Sequence, residues 1–268
     1  MNLVERNSFL GKYGPVAVVT GASSGIGKAI ALELGKTGFE VILVGRNESS
    51  LSKVSKEIET KFQSKTKILV ADLGQLEGNQ RVLDQTINLQ VGLIVLSAGF
   101  GTSGCFTDSD LEEETELVQV NCLSPLRLSH EFSKRFSDQK RGGIIFLSSI
   151  VAFQGVPFAS HYAATKAYVQ SFAEGLNREL KSNKMDVLAA SPGPVASGFA
   201  SRAKMVMGKT LKPEDIALPI LAALGKKTTV FPGFLTKFLT GALMILPRWG
   251  KVRVMELVMG GFTKHQRV

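Results

Sequence analysis

The sequence predicts an α/β fold in which one doubly wound parallel sheet of about seven strands is flanked by helices. Short apolar runs rich in β-branched residues alternate with longer helical patterns, which is typical of strands buried on both faces. Glycine and polar residues follow the ends of these runs, at the edge where open parallel sheets bind ligands. The predicted strands are Val16–Thr20, Val41–Val44, Ile68–Ala71, Leu93–Ser97, Ile144–Leu147, Val187–Ala190 and Thr228–Phe231.

Helical patterns connect these strands, and Gly38 provides a C-terminal cap for the first of them. No repeat, low-complexity segment or linker divides the chain. We therefore expect one catalytic domain over residues 1–233 and an appended C-terminal helical extension over residues 234–268, which Pro247 breaks into two pieces. The predicted helices of the domain are Ile26–Thr37, Leu51–Phe62, Gln75–Ile87, Thr115–Phe136 and Tyr162–Lys181.

Charge is distributed unevenly along the chain. The 268 residues carry a formal net charge of +9. Residues 226–268 account for +7 of it, because eight lysines and arginines stand there against the single acid Glu256. A nucleic-acid-binding protein would spread basic residues over a face of its body, so we exclude that class.

Cysteine content and hydropathy indicate the cellular compartment of the protein. Cys105 and Cys122 do not make a disulfide framework, which indicates a reducing environment. We find neither an N-terminal apolar run that would make a signal peptide nor an apolar segment long enough to span a membrane. We expect a cytoplasmic protein without a metal site.

A glycine-rich turn, Thr-Gly-Ala-Ser-Ser-Gly-Ile-Gly over residues 20–27, joins the first strand to the first helix. Such a turn lets the backbone approach a pyrophosphate and directs the free N–H groups of the helix start toward it. The alternative is a tight turn that only packs the helix on the strand, since the spacing differs from G-x-G-x-x-G. The candidate cofactor-binding residues of the turn are Gly21, Ser23, Ser24, Gly25, Ile26 and Gly27.

Arg46 follows the second strand at the position where NAD-binding sheets carry an acid for the ribose 2′-hydroxyl. A guanidinium pairs with a 2′-phosphate through charge-assisted hydrogen bonds, whereas an acid would repel it. Arg46 therefore favours NADP(H) over NAD(H) as the cofactor. The alternative is an arginine that is only solvated.

Tyr162 and Lys166 are four residues apart, on one face of a predicted helix. A phenol beside an ammonium group can donate a proton to a carbonyl oxygen, because the positive charge lowers the phenol pKa toward neutrality. The alternative is a solvated pair on an exposed helix. Ser149 ends the preceding strand and can hold the substrate oxygen, and Asn121 lies further back in a helical stretch.

These motifs together resemble, in order and spacing, those of the short-chain dehydrogenases/reductases. The resemblance covers roughly residues 14–200 and implies a Rossmann-like sheet. The start of the chain and its long tail are similar to the branch of hydroxysteroid dehydrogenases and long-chain 3-oxoacyl-CoA reductases. The matching elements are the glycine turn, Asp72, Ser97-Ala98-Gly99, Asn121, Ser149, Tyr162, Lys166 and Pro192-Gly193.

The resemblance implies a role for each matched residue. Tyr162 is the acid/base, Lys166 lowers its pKa and binds the nicotinamide ribose, Ser149 orients the substrate, and Asn121 holds a water in a proton relay. Asp72 contacts the adenine. The other implied cofactor-binding residues are Leu73, Ala98, Gly99, Pro192, Gly193, Val195 and Ser197.

The chain departs from the family pattern at two places. Ser97 stands where members usually carry an asparagine, which puts one contact between this loop and the central strand in question. The chain also continues for 35 residues past Gly233 instead of ending near the last strand. Dimers and tetramers through the helices Thr115–Phe136 and Tyr162–Lys181 are common in the family, but the long tail can block one interface.

The segments after Ser149 and after Gly193 are apolar and rich in methionine. They suit a hydrophobic ketone or acyl chain, with ordinary packing as the alternative. We expect His161 to face another side of the helix from Tyr162 and to have no role. The residues proposed to line the substrate pocket are Val151, Phe153, Val156, Phe158, Phe199, Met205, Val206 and Met207.

The extension over residues 234–268 mixes apolar clusters with lysines and arginines, and it contains Trp249. Three interpretations stay open: helices at the surface of an anionic membrane, packing over the substrate cleft, or contact with a second subunit to form a homodimer. The sequence as a whole predicts an NADP(H)-dependent carbonyl reductase or alcohol dehydrogenase. The alternative is a non-catalytic NADP(H)-binding regulatory protein.

Overall fold

The computed structural model describes residues 1–208 and 210–266. Its described part contains one sheet of seven parallel strands in the order β3-β2-β1-β4-β5-β6-β7. The sheet confirms the predicted doubly wound, Rossmann-like architecture, and each predicted strand corresponds to an observed one. The strands are β1 Val16–Thr20, β2 Glu40–Gly45, β3 Thr66–Val70, β4 Val91–Leu96, β5 Gly142–Leu147, β6 Met185–Ala190 and β7 Thr229–Val230.

Helices cover both faces of the sheet. Short 3-10 turns occur at Phe106–Asp108, Ile150–Phe153, Leu180–Asn183 and Lys264–Gln266. The helices are α1 Leu3–Tyr13, α2 Gly25–Thr37, α3 Glu48–Phe62, α4 Leu76–Gln85, α5 Leu111–Val118, α6 Ser124–Gln139, α7 Ser160–Glu179, α8 Phe199–Arg202, α9 Pro213–Ala223, α10 Phe234–Met244 and α11 Arg248–Phe262.

The core consists of two apolar layers separated by the sheet. Adjacent residues of a strand point to opposite faces, so Val19 belongs to one layer and Val18 to the other. The first layer contains side chains of α2, α3 and α9, and the second contains side chains of α4, α6 and α7. The central strands β1, β4 and β5 are buried along their whole length, which accounts for their unbroken apolar sequences.

The structure differs from the predicted helices at several places. We did not predict α1 or α9. A capping box between Asn2 and Glu5 begins α1, and Tyr13 at its end donates a 2.6 Å hydrogen bond to Asp186 near the start of β6. The predicted helix Thr115–Phe136 is α5 and α6 joined by a π-helical turn over Gln119–Leu123.

The C-terminal extension forms two helices, α10 and α11, and Pro247 caps the second. The predicted break at this proline is confirmed. Residues 267 and 268 of the predicted segment lie outside the described residues. Among the described helices, none is long and apolar enough to cross a membrane.

Candidate active site

The carboxyl ends of β1 and β4 lie side by side at the point where the strand order reverses. The glycine turn follows β1 here. Gly21 and Gly25 have positive φ angles of 65° and 55°, which L-residues with a β-carbon rarely adopt. A β-carbon on Gly21 would lie 2.8 Å from the Cα of Ala98, and one on Gly27 would lie 2.3 Å from the Gly21 oxygen. The turn therefore needs glycine to pack against its neighbours.

Thr20 makes the contact between the central strand and the loop after β4. Its hydroxyl oxygen accepts hydrogen bonds of 3.0 Å from the backbone N–H groups of Ser97 and Ala98, and the hydroxyl lies 3.3 Å from the Val95 oxygen. The loop that lacks the family's asparagine is thus held by a threonine of β1. Thr20 was not among our candidate residues, because it reads as an ordinary strand residue.

Asn121 lies in the π-helical turn between α5 and α6 and is almost fully buried. Its side-chain oxygen accepts from the Phe100 N–H, and its amide donates to the Phe100 oxygen and to the Thr165 hydroxyl. A β-carbon on Gly99 would lie 2.9 Å from the Asn121 Oδ1. The widened turn therefore fixes Asn121 against the loop after β4, and such π-helical turns recur at functional sites.

Ser149, Tyr162 and Lys166 come together at the carboxyl end of β5. Ser149 begins the 3-10 turn after β5, and its side chain hydrogen-bonds the Tyr162 hydroxyl. Lys166 lies one helical turn after Tyr162 in α7 and donates a 2.8 Å hydrogen bond to the Leu147 oxygen. The lysine nitrogen is 5.8 Å from the centre of the Tyr162 ring. Both side chains are buried, so the interpretation of a solvated surface pair is wrong.

The two buried groups have shifted pKa values. Burial raises the pKa of Tyr162 above its ordinary value, and the hydrogen bond with Ser149 offsets part of this rise. Burial lowers the pKa of Lys166 to about 8, against a small opposing effect of Cys122. In the protein without cofactor, desolvation therefore decides the direction of the Tyr162 pKa shift, and the lowering that we expect from Lys166 stays a prediction for the complex with cofactor.

Arg46 lies just past β2 and is half exposed. Its guanidinium is 3.0 Å from the Glu116 carboxylate of α5. The same carboxylate oxygen is 3.3 Å from Arg202 of α8, and the Arg202 guanidinium lies 3.7 Å above the Phe100 ring. Arg46 is thus paired with a carboxylate rather than only solvated. Neither Glu116 nor Arg202 was among our candidate residues, because no spacing rule connects them with Arg46.

The remaining candidate cofactor residues border the same edge. Asp72 accepts a 3.0 Å hydrogen bond from the Gly74 N–H, and Leu73 is buried beside it. A β-carbon on Gly25 would lie 3.0 Å from the Ser197 β-carbon, so the segment after β6 reaches the glycine turn. Ser23, Ser24, Ile26, Pro192 and Val195 lie in these same two segments.

A threonine of the C-terminal extension holds the segment after β6. The Gly193 N–H donates a 3.2 Å hydrogen bond to the Thr236 hydroxyl of α10. A β-carbon on Gly193 would lie 2.9 Å from that hydroxyl oxygen. The extension is therefore in direct contact with a predicted cofactor segment, which the sequence did not indicate.

An apolar cluster lies beside Tyr162, and we call it the lid cluster. It includes six of the eight residues proposed for the substrate pocket, whereas the other two lie outside it: Val206 is exposed, and Phe153 packs on Phe231. The extension adds side chains that we did not predict. The lid cluster contains Val151, Val156, Phe158, Ala159, Ala163, Phe199, Ala203, Met205, Met207, Leu243, Met255, Met259 and Phe262.

His161 faces a different side of α7 from Tyr162, as expected, but that side contacts α5. Its Nδ1 is 2.5 Å from the buried Glu114 carboxylate, which also accepts from the Thr102 hydroxyl. These contacts join α5, α7 and the loop after β4 beside the site. The expectation that His161 has no role did not take account of this neighbouring helix.

The residues present fit a nicotinamide dinucleotide. Bare glycine backbone lines the turn after β1, and no side-chain hydrogen bond caps the start of α2, so its first N–H groups are free for a pyrophosphate. From this turn, the edge of the sheet continues past the point where the strand order reverses and reaches Tyr162 and Lys166. A sheet with this arrangement can hold a dinucleotide whose nicotinamide end lies beside a proton donor.

Comparisons with known proteins agree with this geometry. A model of the short chain dehydrogenase family matches residues 15–205. The chain is 31% identical to a 7beta-hydroxysteroid dehydrogenase of Clostridium sardiniense over 86% of this chain and 90% of that one. It is 30% identical to the very-long-chain 3-oxoacyl-CoA reductase-B of Danio rerio over 83% of this chain and 72% of that one.

Solved structures are also similar. A 7beta-hydroxysteroid dehydrogenase superposes with a TM-score of 0.84 at 25% identity over 92% of this chain and 98% of that one. A short-chain dehydrogenase from Sphingobium yanoikuyae in complex with NADPH gives 0.78 at 25% identity, over 88% and 97%. The chain belongs to the short-chain dehydrogenase/reductase family, and it is an oxidoreductase that acts on alcohol and carbonyl groups with a nicotinamide cofactor.

Proposed function

We propose that the chain is an NADP(H)-dependent reductase of a hydrophobic ketone or 3-oxoacyl compound, or the dehydrogenase of the corresponding alcohol. The observation that carries this proposal is the buried contact of Ser149 with Tyr162, one helical turn from Lys166, beside an apolar cluster. A sensor that only binds the cofactor would not need a buried proton donor at this place.

The proposed chemistry divides among four side chains. The bound dinucleotide supplies a hydride at nicotinamide C4. Tyr162 donates the proton to the carbonyl oxygen, and burial keeps its phenol protonated for that step. Ser149 donates a hydrogen bond to the same oxygen and orients it. Lys166 binds the ribose, and Asn121 holds a water through which the proton is replaced.

Arg46 supports the choice of NADP(H). Its guanidinium is half exposed at the end of β2, and its partner is the Glu116 carboxylate. A 2′-phosphate carries more charge and more acceptor oxygens than a carboxylate, so it competes for this guanidinium. A similar short-chain dehydrogenase was solved with NADPH, which agrees with the proposal. Asp72 and Leu73 would hold the adenine of the cofactor, and Ser197 would hold its nicotinamide amide.

The lid cluster supports an apolar substrate. Methionine side chains repack around irregular apolar ligands, and Met205, Met255 and Met259 all belong to this cluster. The similar proteins include a 7beta-hydroxysteroid dehydrogenase and a very-long-chain 3-oxoacyl-CoA reductase, whose names describe bulky or long apolar substrates. We therefore propose a substrate of lipid metabolism.

We place the protein in the cytoplasm, in peripheral contact with a membrane, and as a homodimer. Cys105 and Cys122 are both free, as expected in a reducing compartment. The proposed dimer contact is through α6 and α7, and Leu126 and Tyr168 are the exposed apolar side chains on these helices.

The test is oxidation of NADPH and NADH by the purified protein against steroid ketones, 3-oxoacyl thioesters and small ketones. We expect turnover with NADPH and an apolar substrate. Tyr162→Phe keeps the ring packing on Phe199 but removes the proton donor, so it should lower kcat by about 1,000-fold.

The control is Tyr168→Phe, which removes the hydroxyl of a half-exposed tyrosine on the same helix and should leave kcat unchanged. Equal turnover by the Tyr162→Phe variant would contradict the proposed role of Tyr162. Tight binding of NADPH without turnover of any substrate class would favour the regulatory protein instead.

A further inference from the structure

Helix α10 carries an apolar stripe on its exposed side. Among the α10 side chains that the structure describes, Thr236 and Thr240 are the most buried, at 1% and 6% exposed, and Leu243 is partly buried on the same side. Phe234 and Phe238 on the other side, and Ile245 just after the helix, are 85%, 64% and 85% exposed. A soluble surface helix normally buries its apolar stripe and exposes its polar one. The apolar stripe of α10 is therefore directed at something other than the core of its own domain.

Two more exposed apolar side chains follow along the chain, at the end of α10 and at the start of α11. Trp249 is 77% exposed and Met244 is 54% exposed. Together with Phe234, Phe238 and Ile245 they make a surface that we call the apolar ridge. Large side chains that are exposed singly are ordinary, but a contiguous group of them marks an interaction site.

Basic side chains accompany the apolar ridge. Lys237 lies within its sequence, and Arg248 and Lys251 flank Trp249. Among the described residues from 234 onward, Glu256 is the only acid, and it is paired with Arg253 at 2.6 Å. A surface with exposed aromatic side chains, positive charge and no free carboxylate complements an anionic lipid surface.

A second copy of the same ridge is a poorer occupant. A twofold dimer through this surface would place the same patch of both subunits face to face. The cations around Lys237, Arg248 and Lys251 would then meet cations across the contact. Repulsion between like charges disfavours this arrangement, whereas anionic headgroups neutralise every one of them.

We propose that the apolar ridge docks the protein on an anionic membrane surface and that the apolar substrate reaches the site from the bilayer. The second half of this inference rests on the proposed function. Helix α11 connects the two places, because Met255 and Met259 on its buried face pack in the lid cluster. The backbone N–H of Val206 in the lid segment also donates to the Phe262 oxygen at 3.0 Å. The helix that carries Trp249 at its start is therefore one wall of the substrate region.

The first experiment is co-sedimentation of the full-length protein with vesicles of phosphatidylcholine alone or with about 30% phosphatidylglycerol. We expect binding to the anionic vesicles that weakens at high salt. The double variant Ile245→Glu with Trp249→Glu should bind at least about tenfold more weakly, since it places two charges in the apolar ridge. Both positions are exposed, so folding should be retained.

The matched control is Leu3→Glu with Ile87→Glu, which places the same charges at exposed apolar residues on other parts of the surface. The control should bind vesicles as the unmodified protein does. Equal binding by all three proteins, or binding by none, would overturn the docking proposal. A shift from dimer to monomer in the Ile245/Trp249 variant without vesicle binding would assign the ridge to a second copy instead.

The second experiment separates docking from catalysis. Turnover of a water-soluble ketone without vesicles should be the same for the unmodified protein and the Ile245/Trp249 variant. Anionic vesicles should raise kcat/KM for a membrane-dissolved ketone about fivefold or more in the unmodified protein alone. An equal rise in both proteins would refute delivery from the bilayer, whereas absence of turnover with every substrate would refute only the proposed function.

Discussion

The cofactor edge of the sheet and the C-terminal extension are built in opposite ways. At the edge, polar side chains are buried and bonded: Asn121 to Phe100 and Thr165, and Lys166 to Leu147. In the extension, three aromatic side chains are exposed, whereas the threonines Thr236, Thr240 and Thr263 are buried. Buried polar groups fix one geometry because each lost partner is costly. Exposed apolar groups that lie together are instead stabilised when another surface covers them.

This difference shows which region determines the chemistry and which determines the handling of the substrate. The chemistry depends on a few residues at fixed spacings along the chain, so a motif identifies them. Substrate handling depends on packing between distant segments, since Met205 after β6 and Met255 of α11 belong to the same cluster. The two regions should therefore respond differently to substitution, and the following predictions compare them.

The largest expected effect is on cofactor choice at Arg46. Arg46→Asp replaces the proposed 2′-phosphate ligand with a group that repels phosphate and accepts from a ribose hydroxyl. We expect the ratio of NADPH to NADH affinity to fall by about 100-fold. Fluorescence titration of both cofactors measures this ratio without turnover.

Lys56→Asp on the exposed side of α3 makes the same charge change away from the site and serves as the control. If the affinity ratio is unchanged in the Arg46 variant, Arg46 does not select the cofactor. An equal fall of the affinity ratio in the control would mean that the net charge of the protein causes the effect, rather than a contact of Arg46 with the cofactor.

A smaller and different effect is expected for the extension. Met255→Ala with Met259→Ala removes two buried side chains from the lid cluster and leaves the cofactor edge intact. We expect KM for an apolar ketone to rise about tenfold while KM for NADPH changes less than about twofold.

Leu257→Ala is the control because it truncates an exposed side chain of the same helix. A parallel rise in KM for NADPH would show that truncating side chains of the extension also disturbs the cofactor edge. The contrast between the two regions would then be wrong.

The sequence predicted the sheet well because its strands are buried on both faces and carry unbroken apolar runs. The bounds of β1 agree at both ends, and each other predicted strand overlaps an observed one. Helix α1 was missed because only Phe9 and Tyr13 of its residues are buried, so its sequence has little apolar periodicity. The π-helical turn at Asn121 was missed because no composition rule marks an extra residue in a helical turn.

In the candidate site, too, some residues were predicted from the sequence and others were missed. Tyr162, Lys166 and Ser149 were identified from spacing, and they lie together. Glu116 and Thr236 were not identified, because each reaches the site from an element distant in sequence. The rise of the Tyr162 pKa in the protein alone was not predicted either, since burial cannot be deduced from a pair of residues on a helix.

The smallest expected effect tests the electrostatics of the cofactor edge. With a pKa of about 8, Lys166 is mostly charged at pH 7 and mostly neutral at pH 9. A neutral amine still donates hydrogen bonds but loses its charge, so NADPH affinity should fall about threefold over this window. The 2′-phosphate does not interfere, because a phosphate monoester is already doubly charged above about pH 7.

Lys166→Met provides the comparison, since it has no titrating group at this position. Its affinity should be lower than that of the unmodified protein and independent of pH between 7 and 9. The same pH dependence in both proteins would place the titrating group elsewhere. A flat profile in the unmodified protein would mean that bound cofactor holds Lys166 charged. In that case the Tyr162 phenol has a cation beside it during the reaction, and its pKa in the complex is lower than in the protein alone.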